Sequence, residues 1–372
     1  MKPYPFSALQ QFIECAHIPG ISMSWCRQGV VKSVAAGVVD TSQPYSVDNS
    51  TLFQAASLSK AVSAAIVINL VKQGRWDLDK PLCEISDYGS AEIKNNPYYK
   101  KLTTRMVLAQ CSGLPNYSGD NNANFIAEPG TKFTYSGVAF DFLKEVIENK
   151  TGKEWESISQ EFFHAIGMNH STFLQSSSIV ARAHDGNGCP EPIPAANSPA
   201  IPAGSLLTTS SDYIVFLRHC LSDAFLKQTL FQAHTKLRPE DFPKAFDSAH
   251  KILWGLGIAL FEQDGRKIAF HWGTNPGSYA FAAIDLLSGD CIACFVNSVN
   301  GPNVFQKLTE LVVGDMSPVF DWLSHYCYFN AAVKPTVPET QINLLLFSKD
   351  KSQADVTDEE MVKSKCSSVA KL

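Results

Sequence analysis

The sequence predicts an α/β fold of the α+β kind, in which an antiparallel sheet flanked by helices carries a mostly helical inserted domain. Three features support this. Two β-prone runs lie near the start of the chain, a closely spaced series of such runs follows residue 250, and the stretch between them is dominated by helical periodicity and loops. A sheet drawing strands from both ends must close around the middle of the chain. The expected division is therefore 1–74 with 206–330 as a mixed α/β domain, 75–205 as a mostly helical domain, and 331–372 as a flexible C-terminal tail. With 372 residues, 45% of them apolar and 18% charged, the chain has ample material for a core and is not a disordered chain, a fibre or a coiled coil.

Taken in order, Phe6, Leu9, Phe12 and Ile13 recur at helical spacing until the His17-Ile-Pro-Gly20 break. Ile21–Cys26 and Val30–Val39 flank the turn signal Arg27-Gln-Gly29, which predicts a hairpin. A loop containing Pro44 and Asp48 follows. From Ser57 onward Ala61, Val62, Ala65, Ile66, Leu70 and Val71 mark a helix that Gly74 stops, and its nearly apolar circumference predicts a central, buried one. Gly137–Glu148 and Trp155–Ile166 are the clearest helices of the middle region, and residues 186–204 form a proline-rich loop. After a helix near Asp212–Leu221, the runs Leu253–Phe261, Lys267–Trp272, Tyr279–Asp285 and Asp290–Val296 predict a meander, with a last helix at about Val304–Val313. Pro335, Pro338 and the mixed charges of 348–365 set the tail apart, apart from the short apolar patch Leu344–Phe347.

Composition also narrows the function. The formal net charge is −5, from 31 basic and 36 acidic residues, with no long basic run, which argues against a nucleic-acid partner. The first fifteen residues lack a continuous apolar segment, so no secretory signal is expected. No stretch approaches the roughly eighteen apolar residues of a membrane-spanning helix. The ten cysteines are scattered, many within apolar runs, which fits free thiols in a reduced, cytoplasmic compartment. Cys291 and Cys294 form a C-x-x-C inside a predicted strand, where positions three apart face opposite sides and cannot share a metal. The nine histidines show no metal-ligand spacing, and no metal or cofactor is expected.

Chemistry concentrates at Ser57-Leu-Ser-Lys60, an S-x-x-K at a helix start. One helical turn sets the Lys60 amine beside the Ser57 hydroxyl. Burial and the positive helix end both favour the neutral amine, which can take the serine proton. Spacing alone does not identify a site, since S-x-x-K recurs at Ser248–Lys251, Ser348–Lys351 and Ser368–Lys371, in loop-like or tail sequence.

Context singles out the first. Ile18-Pro-Gly-Ile21, Thr51-Leu-Phe-Gln-Ala-Ala-Ser-Leu-Ser-Lys60, Gln110-Cys-Ser-Gly-Leu-Pro-Asn-Tyr117, Glu128-Pro-Gly-Thr-Lys-Phe-Thr-Tyr-Ser-Gly137, Ala203-Gly-Ser-Leu-Leu-Thr-Thr-Ser-Ser-Asp212 and His271-Trp-Gly-Thr-Asn-Pro-Gly277 occur in that order. Together they resemble the serine β-lactamase-related hydrolases, in the branch of class C β-lactamases, D-alanyl-D-alanine carboxypeptidases and family VIII carboxylesterases, over about residues 10–315. The resemblance implies a β-lactamase/penicillin-binding-protein-like fold. It makes Ser57 the nucleophile, Lys60 its proton acceptor and Tyr135 the phenol that passes the proton to the leaving group. A phenol with a reference pKa of about 10 is expected to need the Lys60 field for this.

By the same resemblance His271-Trp-Gly273 takes the K-T-G position in its H-x-G form, so His271 and Gly273 are substrate-binding candidates. The backbone N–H groups of Ser57 and Thr274 would form the oxyanion hole. Gly137 departs from the pattern: the family asparagine two residues after the tyrosine is replaced by glycine, which supplies no amide to the lysine or the substrate. A changed substrate class, a lysine held by another residue, or a weakened enzyme would each follow. Tyr117-Ser-Gly119 repeats the tripeptide, but its place after Gly113-Leu-Pro115 argues against it as the motif.

The sequence thus implies an esterase-like serine hydrolase acting through an acyl-enzyme on a small-molecule ester or amide. The alternative is a catalytically weak or silent binding or scaffold protein that keeps the fold. Intact Ser57, Lys60 and Tyr135 oppose that alternative and Gly137 favours it.

Overall fold

Strands from the two ends of the chain meet in one antiparallel sheet of nine, ordered β3-β2-β1-β11-β10-β9-β8-β7-β6. The computed structural model describes residues 5–117, 124–176, 178–193, 195, 198–238, 251–327 and 329–335. Its strands are β1 (Gly20–Arg27), β2 (Val30–Asp40), β3 (Gln43–Ser46), β4 (Phe53–Gln54), β5 (Leu207–Thr208), β6 (Thr235–Lys236), β7 (Lys251–Trp254), β8 (Ala259–Gln263), β9 (Arg266–Asn275), β10 (Ser278–Asp285) and β11 (Cys291–Val296). The early hairpin and the late meander join where β1 pairs with β11, Ile21 opposite Val296 and Cys26 opposite Cys291. Strands β4 and β5 form a separate short pair, Phe53 opposite Thr208.

The helices are α1 (Pro5–Cys15), α2 (Ser59–Lys72), α3 (Leu82–Ile85), α4 (Ala91–Asn95), α5 (Thr104–Leu108), α6 (Val138–Thr151), α7 (Trp155–Ile166), α8 (Ser210–Ser222), α9 (Ala224–Leu230), α10 (Pro302–Val313) and α11 (Ser317–Tyr326). Two apolar cores lie on the two faces of the sheet. One joins α1, α10 and α11 to Ile21, Met23, Trp25, Phe270 and Phe281. The other joins α2, α6, α7 and α8 to Leu260, Ala280, Ala282 and Phe295. Alternation along β11 puts Cys291 in the second core and Cys294 in the first, so the two thiols face opposite sides as the strand period requires. Helix α8 docks close to β1 through small side chains, with Ser210 Oγ 2.9 Å from Ser22 Oγ and 2.7 Å from Ser24 Oγ.

Three local expectations change. The run 253–261 is two strands, because Gly255 and Gly257 fold it back on itself. Gly257 sits at φ +75°, where glycine carries no steric penalty. The loop at Pro44 holds the short edge strand β3, a place where a missing N–H is tolerated. The helix at Val304–Val313 is followed by α11, which buries Val319, Phe320, Trp322 and Leu323 at helical spacing behind Pro318. The tail beyond 335 lies outside the described residues, as do Ser248, Ser348 and Ser368 of the other S-x-x-K matches. No helix among the described residues is long and apolar enough to cross a membrane.

Helix α2 runs through the second core with every residue from Ser59 to Ile68 buried. The β7–β8 turn closes on it: a Cβ on Gly257 would stand 2.4 Å from Ala64 Cβ and 2.7 Å from the Lys60 carbonyl oxygen. Gly257→Ala should therefore combine overpacking, about 1–3 kcal/mol, with a left-handed backbone penalty of about 1 kcal/mol. A urea midpoint that falls with an unchanged slope is the expected result; an unchanged midpoint would mean that the turn is not pressed against α2.

Candidate active site

The turn that precedes α2 carries the serine. Ala56–Leu58 form one 3₁₀ turn leading straight into the helix, and Ala56 holds φ +47°, a left-handed conformation unusual for a residue with a Cβ. Strained backbone of this kind persists only where its surroundings fix it. Here the Ala55 N–H donates to the Leu206 carbonyl, Ser59 Oγ donates to the Ala56 carbonyl, and Tyr213 Oη donates to the Leu58 carbonyl at 3.1 Å.

Ser57 and Lys60 come together as the one-turn spacing predicts. Lys60 Nζ donates to Ser57 Oγ at 3.0 Å and to the Ala203 carbonyl at 2.8 Å. The lysine is 2% exposed. Burial pulls its amine down to about 7, while Asp141 acts weakly in the opposite direction. A large share of Lys60 is therefore neutral at neutral pH, and its nitrogen lone pair then lies within reach of the Ser57 proton. Ser63 Oγ donates to the Pro202 carbonyl and Ser59 Oγ accepts from the Leu206 N–H, so α2 itself pins the segment that presents Ala203.

Tyr135 stands against this pair from the loop before α6. Its neighbours on both sides are clamped by Gln110: the Thr134 N–H donates to the Gln110 carbonyl at 2.6 Å, and the Ser136 N–H to Gln110 Oε1 at 2.6 Å. Gln110 is itself at φ +54°. The Tyr135 ring stacks on Trp272 at 5.4 Å between centroids, and Lys60 Nζ lies 4.9 Å from its ring centre. The phenol oxygen is enclosed without a hydrogen-bond partner. Burial holds its acidity well below that of a free phenol, with Ser57 opposing. Tyr135 is therefore a neutral phenol at rest.

Strand β9 supplies the opposite wall. Its pairing with β8 ends at Ala259 opposite Phe270, so residues 271–275 keep only β10 as a strand neighbour. Their other edge faces the serine turn. A Cβ on Gly273 would come within 2.4 Å of the Ala55 carbonyl oxygen, which is why glycine stands there. Ser57, Lys60, Gly137 and Thr274 line one cavity of about 700 Å³. His271 lies behind that wall instead: it is 1% exposed, its Nδ1 is 2.7 Å from the Trp272 carbonyl, and its ring packs on Tyr135 and Trp254. Burial, helped by Lys60, lowers its pKa to about 3, so the imidazole is neutral.

At Gly137 the structure shows what occupies the space of a side chain. Asn116 Oδ1 accepts the Gly137 N–H at 3.0 Å, and a Cβ on Gly137 would lie 2.9 Å from the Asn116 carbonyl oxygen and 3.4 Å from its Oδ1. The lysine that would have lost a partner is held by Ala203. Asn116 and Asp141 also line the cavity, and neither was marked by the sequence as functional. Asn116 and Gln110 fall inside the quoted 110–117 segment, and Ala203 opens another, but only proximity in space gives them roles.

Comparison with known proteins bears on the fold. The family model described as Beta-lactamase matches residues 7–313. Penicillin-binding protein 4 of Amycolatopsis lactamdurans is 25% identical over 333 residues, 82% of this chain and 87% of that protein. Among solved structures, the octameric penicillin-binding protein homologue from Pyrococcus abyssi superposes with a TM-score of 0.66 at 20% identity, covering 80% of this chain and 73% of that one. A class C beta-lactamase superposes with a TM-score of 0.64 at 17% identity, covering 79% and 90%. At these identities the structural likeness establishes the fold.

The contact at Gly137 has a measurable consequence. Gly137→Asn cannot simply restore an amide, because its Cβ meets the Asn116 carbonyl oxygen and the backbone there must shift. The expected outcome is a loss of kcat/KM of about tenfold or more on ester and amide substrates alike, since misplacing reacting groups by an ångström costs about that or more. A selective gain on amides would show that the loop yields freely.

Proposed function

The chain belongs to the Beta-lactamase family, and from that premise we propose that it is a serine hydrolase working through an acyl-enzyme on an ester or small amide. The observation that carries the proposal is the 3.0 Å contact between a buried lysine amine and the Ser57 hydroxyl. Neutral Lys60 takes the proton of Ser57 Oγ as that oxygen bonds to the substrate carbonyl carbon. The resulting oxyanion is held by the backbone N–H groups of Ser57 and Thr274, each such donor contributing about 3–4 kcal/mol to lowering the barrier. Tyr135, a neutral phenol near Ser57, relays a proton to the departing group while Lys60 resupplies it. Water then attacks the acyl carbon while Lys60 accepts its proton; the bond to Ser57 Oγ breaks, that oxygen takes the proton back from Lys60, and the acid is released. Gly273 lets the strand approach this close, and His271 fixes the Tyr135 ring from behind.

A silent scaffold is the weaker reading. Burying an amine without a carboxylate partner is expensive, and a fold with no chemistry to perform gains nothing from it.

Ser57→Ala should abolish hydrolysis and covalent labelling by a fluorophosphonate, both read by intact-protein mass spectrometry, without a change in thermal unfolding. Lys60→Ala should lower kcat by at least about 10²-fold. Labelling that persists in Ser57→Ala would place the nucleophile elsewhere. In the wild type, kcat/KM for a neutral ester should rise with pH as Lys60 loses its proton, with a midpoint close to 7, and level off above it. A profile flat from pH 5 to 9 would contradict Lys60 as the base.

A further inference from the structure

Asp141 is the charged group of the cavity that the mechanism above leaves unused. It lies one helical turn beyond Gly137 on α6, its N–H donating to the Gly137 carbonyl at 3.2 Å, and it lines the same cavity as Ser57. Its Oδ1 is enclosed and has no hydrogen-bond partner among the described residues. Enclosed polar atoms are almost always paired, so an orphan of this kind calls for an explanation.

The charges of the wall give one. Among the described residues, Asp40, Lys60, Asp141 and Arg182 are the charged side chains lining the cavity. Arg182 Nη1 lies 3.0 Å from Asp40 Oδ2, and that carboxylate also accepts from the Ser42 N–H and hydroxyl, so this pair is mutually satisfied. Lys60 directs its Nζ to Ser57 and Ala203. Lys144, the next cation near Asp141, pairs with Glu145 at 3.0 Å and lies off the cavity. Among the described lining residues, Asp141 is therefore the carboxylate that no cation pairs with. Burial raises the Asp141 pKa to about 6, with Lys60 and Lys144 opposing and Glu145 assisting. An ammonium group in the cavity gives the Asp141 carboxylate a charge-assisted donor.

We propose that Asp141 selects the substrate by binding a primary ammonium group that the substrate carries, so that the preferred class is amine-bearing esters or amides. This rests on the hydrolase reading above and adds the substrate class to it. A neutral acyl group leaves the Asp141 oxygen unpaired, and a carboxylate-bearing one meets it with like charge.

The test is a set of matched esters with the full chain. Ethyl 3-aminopropanoate is compared with ethyl butanoate and with monoethyl succinate, placing the charge on the acyl side. 2-Aminoethyl butanoate is compared with propyl butanoate, placing it on the alcohol side. The wild type should favour the amine in one of the two comparisons by about tenfold or more in kcat/KM, as a charge-assisted pair provides, and disfavour the succinate. The pair that responds locates the ammonium. In Asp141→Asn, which keeps size and removes charge, the amine-over-neutral ratio should fall to near one.

No preference in either comparison, or a ratio that survives in Asp141→Asn, would overturn the proposal. So would an equal loss on all esters, which would make Asp141 only a support for Lys60. Fluorophosphonate labelling in parallel separates the two levels: labelling with no amine preference rejects Asp141 selection alone, and no labelling rejects the hydrolase. Titration of Ser57→Ala with n-butylamine reads the site without turnover, with saturable binding expected and its loss in Ser57→Ala/Asp141→Asn. Equal binding by both variants would count against it.

Discussion

Keeping the Lys60 amine out of water is the constraint on which the site depends. A solvated lysine has its pKa near 10 and is a poor base at neutral pH; one enclosed by α2, the β7–β8 turn and the 202–206 segment is pulled to about 7. Several otherwise unrelated features serve that enclosure. Helix α2 is apolar nearly all round because both the helical region and the sheet cover it. Gly257 allows a turn to press on its backbone, and Ser59 and Ser63 hold the segment that delivers the Ala203 carbonyl. That carbonyl satisfies one amine hydrogen without adding the negative charge that would raise the pKa again.

The walls around the amine carry both strained backbone and enclosed polar groups without partners. Ala56 and Gln110 occupy left-handed backbone within the segments that place Ser57 and Tyr135. The Tyr135 hydroxyl, His271 Nε2 and Asp141 Oδ1 are enclosed without partners. Such groups destabilise a resting protein and are tolerated where they meet a substrate or a moving proton. The two well-packed cores on either side of the nine-stranded sheet offset that cost, since each combines large aromatic side chains with close strand-to-helix contact.

Much of this was legible in the sequence for local reasons. Ser57 and Lys60 are three residues apart on a helix, so their contact follows from the helical period alone, and the hairpin and most of the meander follow from alternation and turn residues. The misses are cases where distant residues decide. The strand break at Gly255–Gly257 depends on Leu230 and α2, neither near in sequence. Helix α11 is a different case: Val319, Phe320, Trp322 and Leu323 lie at helical spacing behind Pro318, a signal that the sequence itself carries. Gly137 looks like a lost amide until Asn116, twenty-one residues earlier, is seen to fill its place. Asp141 looks like a first-turn acid favourable to the helix dipole; only the fold shows that it lines the cavity and that its Oδ1 has no partner among the described residues.

The measurement that tests the central claim most directly is the ionisation of Lys60 itself. With ¹⁵N-lysine labelling, the Lys60 Nζ resonance is assigned by comparison with Lys60→Met and followed by NMR from pH 5 to 10 in the unliganded protein. A titration midpoint close to 7 is the predicted result. A Lys60 that stays charged to pH 10 would contradict the account, because the group placed to deprotonate Ser57 would have no lone pair to do it with.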